Sequence, residues 1–338
     1  MNLYDPNGYA NIRGILDTGI PFIFITGARG VGKTYGALDT CVDLGLRFMF
    51  MRRTQAQADL SCNPDFSVFK PLNADKGWDI VPDRISKYNS AFIRRDNGHN
   101  EIVGYSCALS TVSNMRGFDA SDIDVLIYDE FIPEKHERPI KNEPQALLNA
   151  YETMNRNREL KGKPPIKFLG LANSNDISNP YFEYLGLIRI ADKMQRKGND
   201  IYRDDKRGLM LIMMHRSPIS KKKANTALYR LTQGTDFNNM ALDNEFTICR
   251  QYIKSLPLVE FTPRCKIGEL CIYRHKSNNI LYATTHSSGV FPSVYTTSET
   301  DIEHFRNTFS SYYDSYIEGR FRFEDVLSEE LFKKYMYV

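Results

Sequence analysis

Apolar residues along this chain follow two rhythms, and the places where one gives way to the other mark the elements. Short, nearly unbroken apolar runs occur at FIFIT (22–26), within LRFMFMRR (46–53), in IDVLIYDE (123–130), at IKFLGLA (166–172) and at LMLIMM (209–214). Runs of that length, bounded by glycine, proline or charged clusters, predict strands buried on both faces. Between them the apolar positions spread to intervals of three and four. TYGALDTCVDLG, from Thr34, predicts an amphipathic helix, and NEPQALLNAYETMNRNREL (142–160) predicts another. In the second, Asn142 is the expected N-cap, Glu143 and Pro144 occupy the first turn, and Ala146, Leu147, Ala150, Tyr151 and Met154 share a face. This alternation predicts an α/β fold: a mostly parallel sheet with helices on both faces. Ligands of such sheets gather at the carboxyl ends of the strands, and Thr26, Asp129 and Asn173 stand at or just beyond three of those ends.

The turn after FIFIT carries the first candidate chemistry. Gly27, Gly32, Lys33 and Thr34 fit G-x-x-x-x-G-K-[ST], placed between a strand and a helix, as a phosphate-binding loop requires. Along Gly27, Ala28, Arg29, Gly30, Val31 and Gly32 the backbone N–H groups can turn inward on phosphates, Lys33 can reach the β/γ oxygens, and the Thr34 hydroxyl is placed for Mg²⁺. ATP and Mg²⁺ are the expected cofactors. An isolated Asp-Glu pair is ordinarily a solvated acidic turn. Here it closes a buried strand downstream of a phosphate loop, so Asp129 is expected to hold Mg²⁺ and Glu130 to orient or deprotonate water. Asn173 could bond both a γ-phosphate and the attacking water, or simply form a turn.

Composition narrows the class. The 338 residues allow a large α/β domain with a smaller companion, and 42% hydrophobic content suits packed cores and argues against disorder. No run approaches 18 apolar residues and the first residues lack a basic-then-apolar pattern, so neither a membrane span nor secretion is expected. Six cysteines lie singly, without a C-x-x-C pair, which favours reduced thiols over disulfides or zinc. Net charge is only +3, but 192–230 holds 11 Lys or Arg against 4 Asp. Clustered cations, including Lys221, Lys222 and Lys223, suit a nucleic-acid backbone gripped without reading its sequence; a solvated linker is the alternative.

The set GARGVGKT, IYDEFI, NEPQALLNAYETMNRNRE, LANSNDISNPYF and QGTDFNNMALDNEF resembles the DNA-packaging (encapsidation) ATPases of small podophages of the phi-twenty-nine-like type, from about Tyr4 to the C-terminus. The resemblance implies a P-loop NTPase domain of the additional-strand, conserved-Glu class, a short linker domain, and a C-terminal domain with a vestigial RNase H-like nuclease fold. It also implies a homopentameric ring in the host cytoplasm, docked transiently on a prohead with its portal, with or without a structural RNA, that drives double-stranded DNA inward. By motif position Arg156 matches the trans-acting arginine finger, and Arg116 falls where the family has a basic residue that senses a neighbour's nucleotide. One departure is visible: Gln55 stands where a pore lysine is expected, which would move that contact to Arg52, Arg53 or elsewhere.

The expected boundaries are 1–200 for the ATPase domain, 201–223 for the linker and 224–338 for the C-terminal domain. There, IGELCIYRH, NNILYATTH and VYTTS predict short strands with a hairpin near Ser277 to Asn279, followed by helices near Ile302 to Tyr316 and Asp325 to Tyr335. An active nuclease would need several carboxylates on two metals. Glu260, Glu269 and Asp325 are available, but no Asp sits mid-strand, so the fold is expected without the nuclease chemistry. A terminase-like ATPase with an active nuclease, and a nucleotide-regulated assembly protein, remain as alternatives.

Overall fold

The computed structural model describes residues 1–96, 98–115, 120–133, 137, 140–173, 177–214, 217–235 and 253–337. The chain divides into two compact units, Met1–Tyr184 with Met194–Thr247, and Leu185–Lys193 with Ile248–Val338.

The first unit is built on a nine-stranded sheet of β1 (Phe22–Gly27), β2 (Phe48–Arg52), β3 (Ile80–Arg84), β4 (Ser90–Asp96), β5 (His99–Ala108), β6 (Val125–Asp129), β7 (Lys167–Ala172), β8 (Ile201–Asp204) and β9 (Leu209–Met214). The spatial order is β3-β4-β5-β2-β6-β7-β1-β9-β8. From β5 to β9 neighbouring strands run parallel, while β3, β4 and β8 add antiparallel edges. Strand β7 thus lies between β1, which leads into the glycine-rich turn, and β6, which ends in Asp129. The apolar runs are continuous because both sheet faces are covered. Ile23 and Ile25 of β1 pack with α1 (Ile12–Leu16) and α2 (Lys33–Asp43), through Ile15, Leu38 and Cys41 among others. The alternate residue Phe24 turns into an aromatic layer with Phe131, Phe168 and Phe182. That two-sided burial fixes the register, since a one-residue slip would exchange the faces.

Of the expected linker 201–223, strands β8 and β9 belong instead to the main sheet. All six residues of β9 are buried, and β9 pairs in parallel with β1 from Phe22↔Leu209 to Gly27↔Met214. An apolar segment of that length needs cover on both faces, which only the main sheet supplies. Two short helices follow, α8 (Pro218–Lys223) and α9 (Ala227–Leu231); before them come α3 (Gln55–Ser61), α4 (Lys70–Lys76), α5 (Glu143–Asn155), α6 (Pro180–Tyr184) and α7 (Ile188–Lys197). The helix expected over 142–160 ends at Asn155, and Glu159–Lys161 is a separate 3-10 turn. Asn142 does precede that helix, but in the left-handed region (φ 52°) and without a side-chain cap.

The second unit holds a sheet of β10 (Phe261–Ile267), β11 (Leu270–His275), β12 (Leu281–Thr284), β13 (Ser293–Tyr295) and β14 (Phe321–Phe323), in the order β13-β10-β11-β12-β14. Strands β10, β11 and β12 form an antiparallel meander, β13 runs parallel to β10, and β14 parallel to β12. The expected hairpin joins β11 to β12. The expected helix near Ile302 is two, α10 (Glu299–Thr308) and α11 (Ser311–Ile317), and α12 (Val326–Tyr337) closes the unit. Phe305, Tyr312, Phe321, Phe323 and Phe332 fill its core.

Candidate functional site

The register of the parallel strands assembles the site. Asp129 of β6 lies beside Leu171 of β7, which in turn lies beside Ile25 of β1, so Glu130, Thr26 and Asn173 emerge together at the carboxyl edge. One residue past the Met51↔Tyr128 pair, Arg52 stands next to Asp129. Four neighbouring strands therefore deliver five polar side chains to one rim.

The loop above that rim has the geometry its glycines suggest. Gly30 and Gly32 have positive φ, 71° and 80°, where a side chain would be strained. A Cβ at Gly27 would lie 2.9 Å from the Met214 Cβ of β9. Gly32 is the N-cap of α2 and offers no side-chain bond to the helix, leaving the first N–H groups for an anion. Lys33 is buried, and its ammonium donates to the carbonyls of Gly27 at 2.8 Å and Ala28 at 2.9 Å. Burial pushes the Lys33 pKa down to about 7, with the Asp129 carboxylate opposing that shift.

The acidic pair is tied to the loop. The Thr34 hydroxyl donates to Asp129 Oδ1 at 2.8 Å, and Arg52 Nη1 meets Asp129 Oδ2 at 2.9 Å. Burial raises the Asp129 carboxyl above its ordinary range, while Arg52, the Thr34 hydroxyl and Lys33 pull it back. Glu130 has a positive φ of 55°, a costly conformation for a residue with a Cβ, and its carboxylate is held by Arg52 Nη2. Asn173 Nδ2 makes a long 3.4 Å contact with Glu130 Oε1. The Thr26 hydroxyl is fully buried with no hydrogen-bond partner among the described residues. An uncapped helix start, a glycine cradle, an orphan hydroxyl, and the Thr34 and Asp129 oxygens fit a nucleotide triphosphate with Mg²⁺, a cation that prefers oxygen donors.

Several residues expected on DNA are elsewhere. Arg52 belongs to the rim just described. Arg53 is buried at 1% exposure and cannot reach a phosphate backbone. Its guanidinium pairs with Glu143 at 2.6 and 3.0 Å and with Glu137 at 2.9 Å, and Glu143 also accepts from Tyr181 at 3.0 Å and Tyr128 at 3.2 Å. The Gln55 amide is used within the fold, donating to Asp59 at 3.0 Å and accepting from the Thr111 hydroxyl at 2.6 Å. Lys223 reaches back to the phosphate-type loop and donates to the Arg29 carbonyl. The side chains of Lys221 and Lys222, and Arg116 altogether, lie outside the described residues.

Arg53 nonetheless shapes the site, because Glu143 opens α5 and the ion pair fixes that helix against the end of β2. At the far end of α5, Arg158 is pinned by bonds to the carbonyls of Ile123 at 2.5 Å and Pro164 at 3.1 Å. Arg156 is exposed and has a strained backbone, φ 45° and ψ −134°. The role of Arg52 could have been read by applying to β2 the strand-end reasoning used for the other strands. Lys223 gave no such signal, since its contact spans 194 residues of sequence.

The fold and the site define an α/β protein on a mixed sheet with a glycine-rich, phosphate-type loop at its carboxyl edge. A sequence profile for the Podovirus DNA encapsidation protein (Gp16) matches residues 4–324, and the chain belongs to that family. It is 26% identical over 228 residues to the DNA packaging protein of Bacillus phage phi29, covering 66% of this chain and 61% of that protein. The DNA packaging protein of Bacillus phage B103 is 25% identical over 334 residues, covering 92% of this chain and 96% of that one. The chain thus spans less than two thirds of the phi29 relative and nearly all of the B103 one. The fold is similar to that in the bacteriophage phi-29 viral genome packaging motor assembly (TM-score 0.67, 21% identity, 97% and 99% of the two chains). It is also similar to the phi-28 gp11 DNA packaging motor (TM-score 0.61, 18% identity, 98% and 99%).

Proposed function

We propose that this chain is the ATP-hydrolysing subunit of a ring that drives double-stranded viral DNA into a preformed prohead, with five copies as the family resemblance suggests. The observation that carries the reading is the linkage of the glycine-rich loop to the acidic strand end through Thr34 and Asp129, with Glu130 alongside. The placement of β7 between β1 and β6 supports assignment to the additional-strand, conserved-Glu class.

Bound Mg·ATP supplies the phosphoryl group and a Lewis acid. Lys33 would exchange two loop carbonyls for phosphate oxygens, Thr34 and Asp129 would hold the cation, and Glu130 would orient and deprotonate water with Asn173 beside it. Arg156, exposed on a strained turn at the end of α5, is our choice for the arginine offered to a neighbouring subunit, with Arg116 second. Contact with DNA falls to Lys221 and Lys222, and the motor would work in the host cytoplasm, docked on the portal; a structural RNA partner remains part of the family expectation. No helix among the described residues is long and apolar enough to cross a membrane.

The nuclease reading is weaker. Glu260 precedes β10 and Glu269 follows it, so the seven residues of the strand separate them by roughly 20 Å, too far to share a pair of metals. Asp325 instead accepts from Ser328 and pairs with Arg189.

ATPase activity measured with DNA, with and without purified proheads, tests the proposal. Stimulation by both is expected; turnover indifferent to both would overturn the motor reading. Arg156→Ala subunits mixed with Glu130→Gln subunits should recover hydrolysis, and no recovery in demonstrated mixed rings would remove Arg156 from a trans role.

A further inference from the structure

We infer that Lys223 is a second phosphate-binding lysine of the nucleotide site, reaching the triphosphate from α8 within the same subunit. The inference rests on the nucleotide reading above and adds a ligand that the loop motif does not contain.

Three observations place it there. Its ammonium donates to the carbonyl of Arg29, one residue beyond the two carbonyls held by Lys33, so two lysines cover three successive carbonyls of the loop. A Cβ on Gly30 would collide with Lys223 Nζ, so the lysine lies over the glycine cradle itself. Finally, α8 is anchored: Ser217 Oγ, just before it, donates to the Gly8 carbonyl at 2.9 Å, and a Cβ at Gly8 would come within 2.9 Å of Pro218. The segment that holds α8 also touches the loop, with Ala10 N–H donating to the Val31 carbonyl at 2.8 Å and the Tyr9 ring against Gly32.

The electrostatics point the same way. No carboxylate among the described residues pairs with Lys223, and partial burial lowers its pKa. Lys33, Lys223 and Arg29 thus concentrate positive charge on one loop, and Lys223 adds to the burden on Lys33. A cation held on a backbone carbonyl, partly desolvated and facing other cations, gains from an incoming polyanion what it lacks in the free protein. Lys223→Met should therefore leave the melting temperature of the free protein unchanged or raise it, whereas a lysine that merely propped the loop would lower it when removed.

The test uses the full chain and fluorescent analogues of non-hydrolysable ATP, of ADP and of AMP with Mg²⁺, in the wild type, Lys223→Met, Lys223→Arg and Lys33→Ala. Lys223→Met should weaken the triphosphate about tenfold and AMP hardly at all, with Lys223→Arg retaining most of the affinity. Acylation of Lys223, read by mass spectrometry, should fall when the triphosphate saturates the protein. Equal triphosphate binding by wild type and Lys223→Met, or undiminished acylation at saturation, would overturn the assignment while leaving the site intact. Absence of triphosphate binding by the wild type, or full binding by Lys33→Ala, would instead overturn the nucleotide reading, and this assignment with it.

Discussion

The two units handle buried and half-buried carboxylates in opposite ways. In the first, Asp129 and Glu130 are carried to the edge of a parallel sheet and met by Thr34, Arg52 and, through the loop, Lys33, with a helix start left uncapped above them. In the second, the half-buried acids beside β14 and at the start of α12 are occupied by the fold. Glu324 accepts from Thr284 and from His286 at 2.8 Å, Asp325 caps α12 by accepting from the Ser328 N–H at 2.8 Å, and Glu329 is bonded by Tyr316 and Lys333. Among the described residues, no group of three His, Cys, Asp or Glu could hold a metal. What differs is topology. Parallel strands bring several chain segments to one edge with the same polarity, while the meander β10-β11-β12 alternates its ends and disperses them.

The largest effect should come from breaking the first arrangement at its carboxylate. Glu130→Gln removes the base but keeps a similar shape beside Arg52 and Asn173, so nucleotide binding should persist while turnover falls about 10²-fold or more. Binding of a non-hydrolysable analogue and the rate of phosphate release separate the two. Nearly normal turnover would show that Glu130 is a structural partner of Arg52.

Much of this site was legible in the chain itself. The loop motif, the Asp129–Glu130 pair and Asn173 could all be placed, because buried parallel strands announce themselves as unbroken apolar runs and their ends follow directly. Arg52 and Arg53 show where that reading stops. They are adjacent and identical, yet successive side chains of a strand point to opposite faces, one into the rim and the other into an interior ion pair. Nothing local distinguishes a surface cation from one whose partner, Glu143, lies 90 positions away. Strands β3, β4 and β5, at the edge where the sheet turns antiparallel, give no apolar signal because their charged, half-exposed residues break the pattern. β10 was hidden by Pro263 and by the register shift between Pro263 and Cys265.

The interior pair provides the next prediction. Glu143→Ala leaves Arg53 charged and buried with Glu137 as its carboxylate among the described residues, and removes the carboxylate that Tyr128 and Tyr181 share. Removing one partner of such a pair costs about 3–5 kcal/mol. Denaturant unfolding should show a loss on that scale in the first unit. A loss under about 1 kcal/mol, as for a surface pair, would mean that Arg53 is solvated.

A smaller effect, with a defined sign, concerns Lys33. Its pKa is about 7 in the folded protein, against 10.5 for an ordinary lysine, because burial disfavours the ammonium. Between those values the unfolded chain binds more protons than the folded one, so stability rises as pH increases from about 7 towards 10.5. Lys33→Met lacks this titration. In the nucleotide-free protein its melting temperature should exceed that of the wild type, most clearly below pH 7, and the gap should narrow through the alkaline range. Parallel melting curves across pH would sink the idea that the ammonium is desolvated.

The smallest effect is expected in the second unit, where it sharpens the contrast between the two sheets. Glu324→Gln retains an oxygen that can accept from Thr284, so the packing of β12 against β14 should survive, although the pairing with a protonated His286 is lost. His286 is largely exposed, and a pair of that kind contributes about 0–1 kcal/mol, less in salt. Stability should therefore change by a few tenths of a kcal/mol. ATP turnover should stay at the wild-type rate, since the chemistry assigned to the first unit uses none of these groups. DNA cleavage assays with Mg²⁺ or Mn²⁺ supply the decisive comparison. If the wild type nicks DNA and Glu324→Gln does not, the carboxylate bound by Thr284 and His286 has a catalytic role after all, and the contrast between a working sheet edge and an occupied one fails. If neither cleaves, Glu324 is a structural acceptor at the end of a meander whose strand directions keep its acids apart.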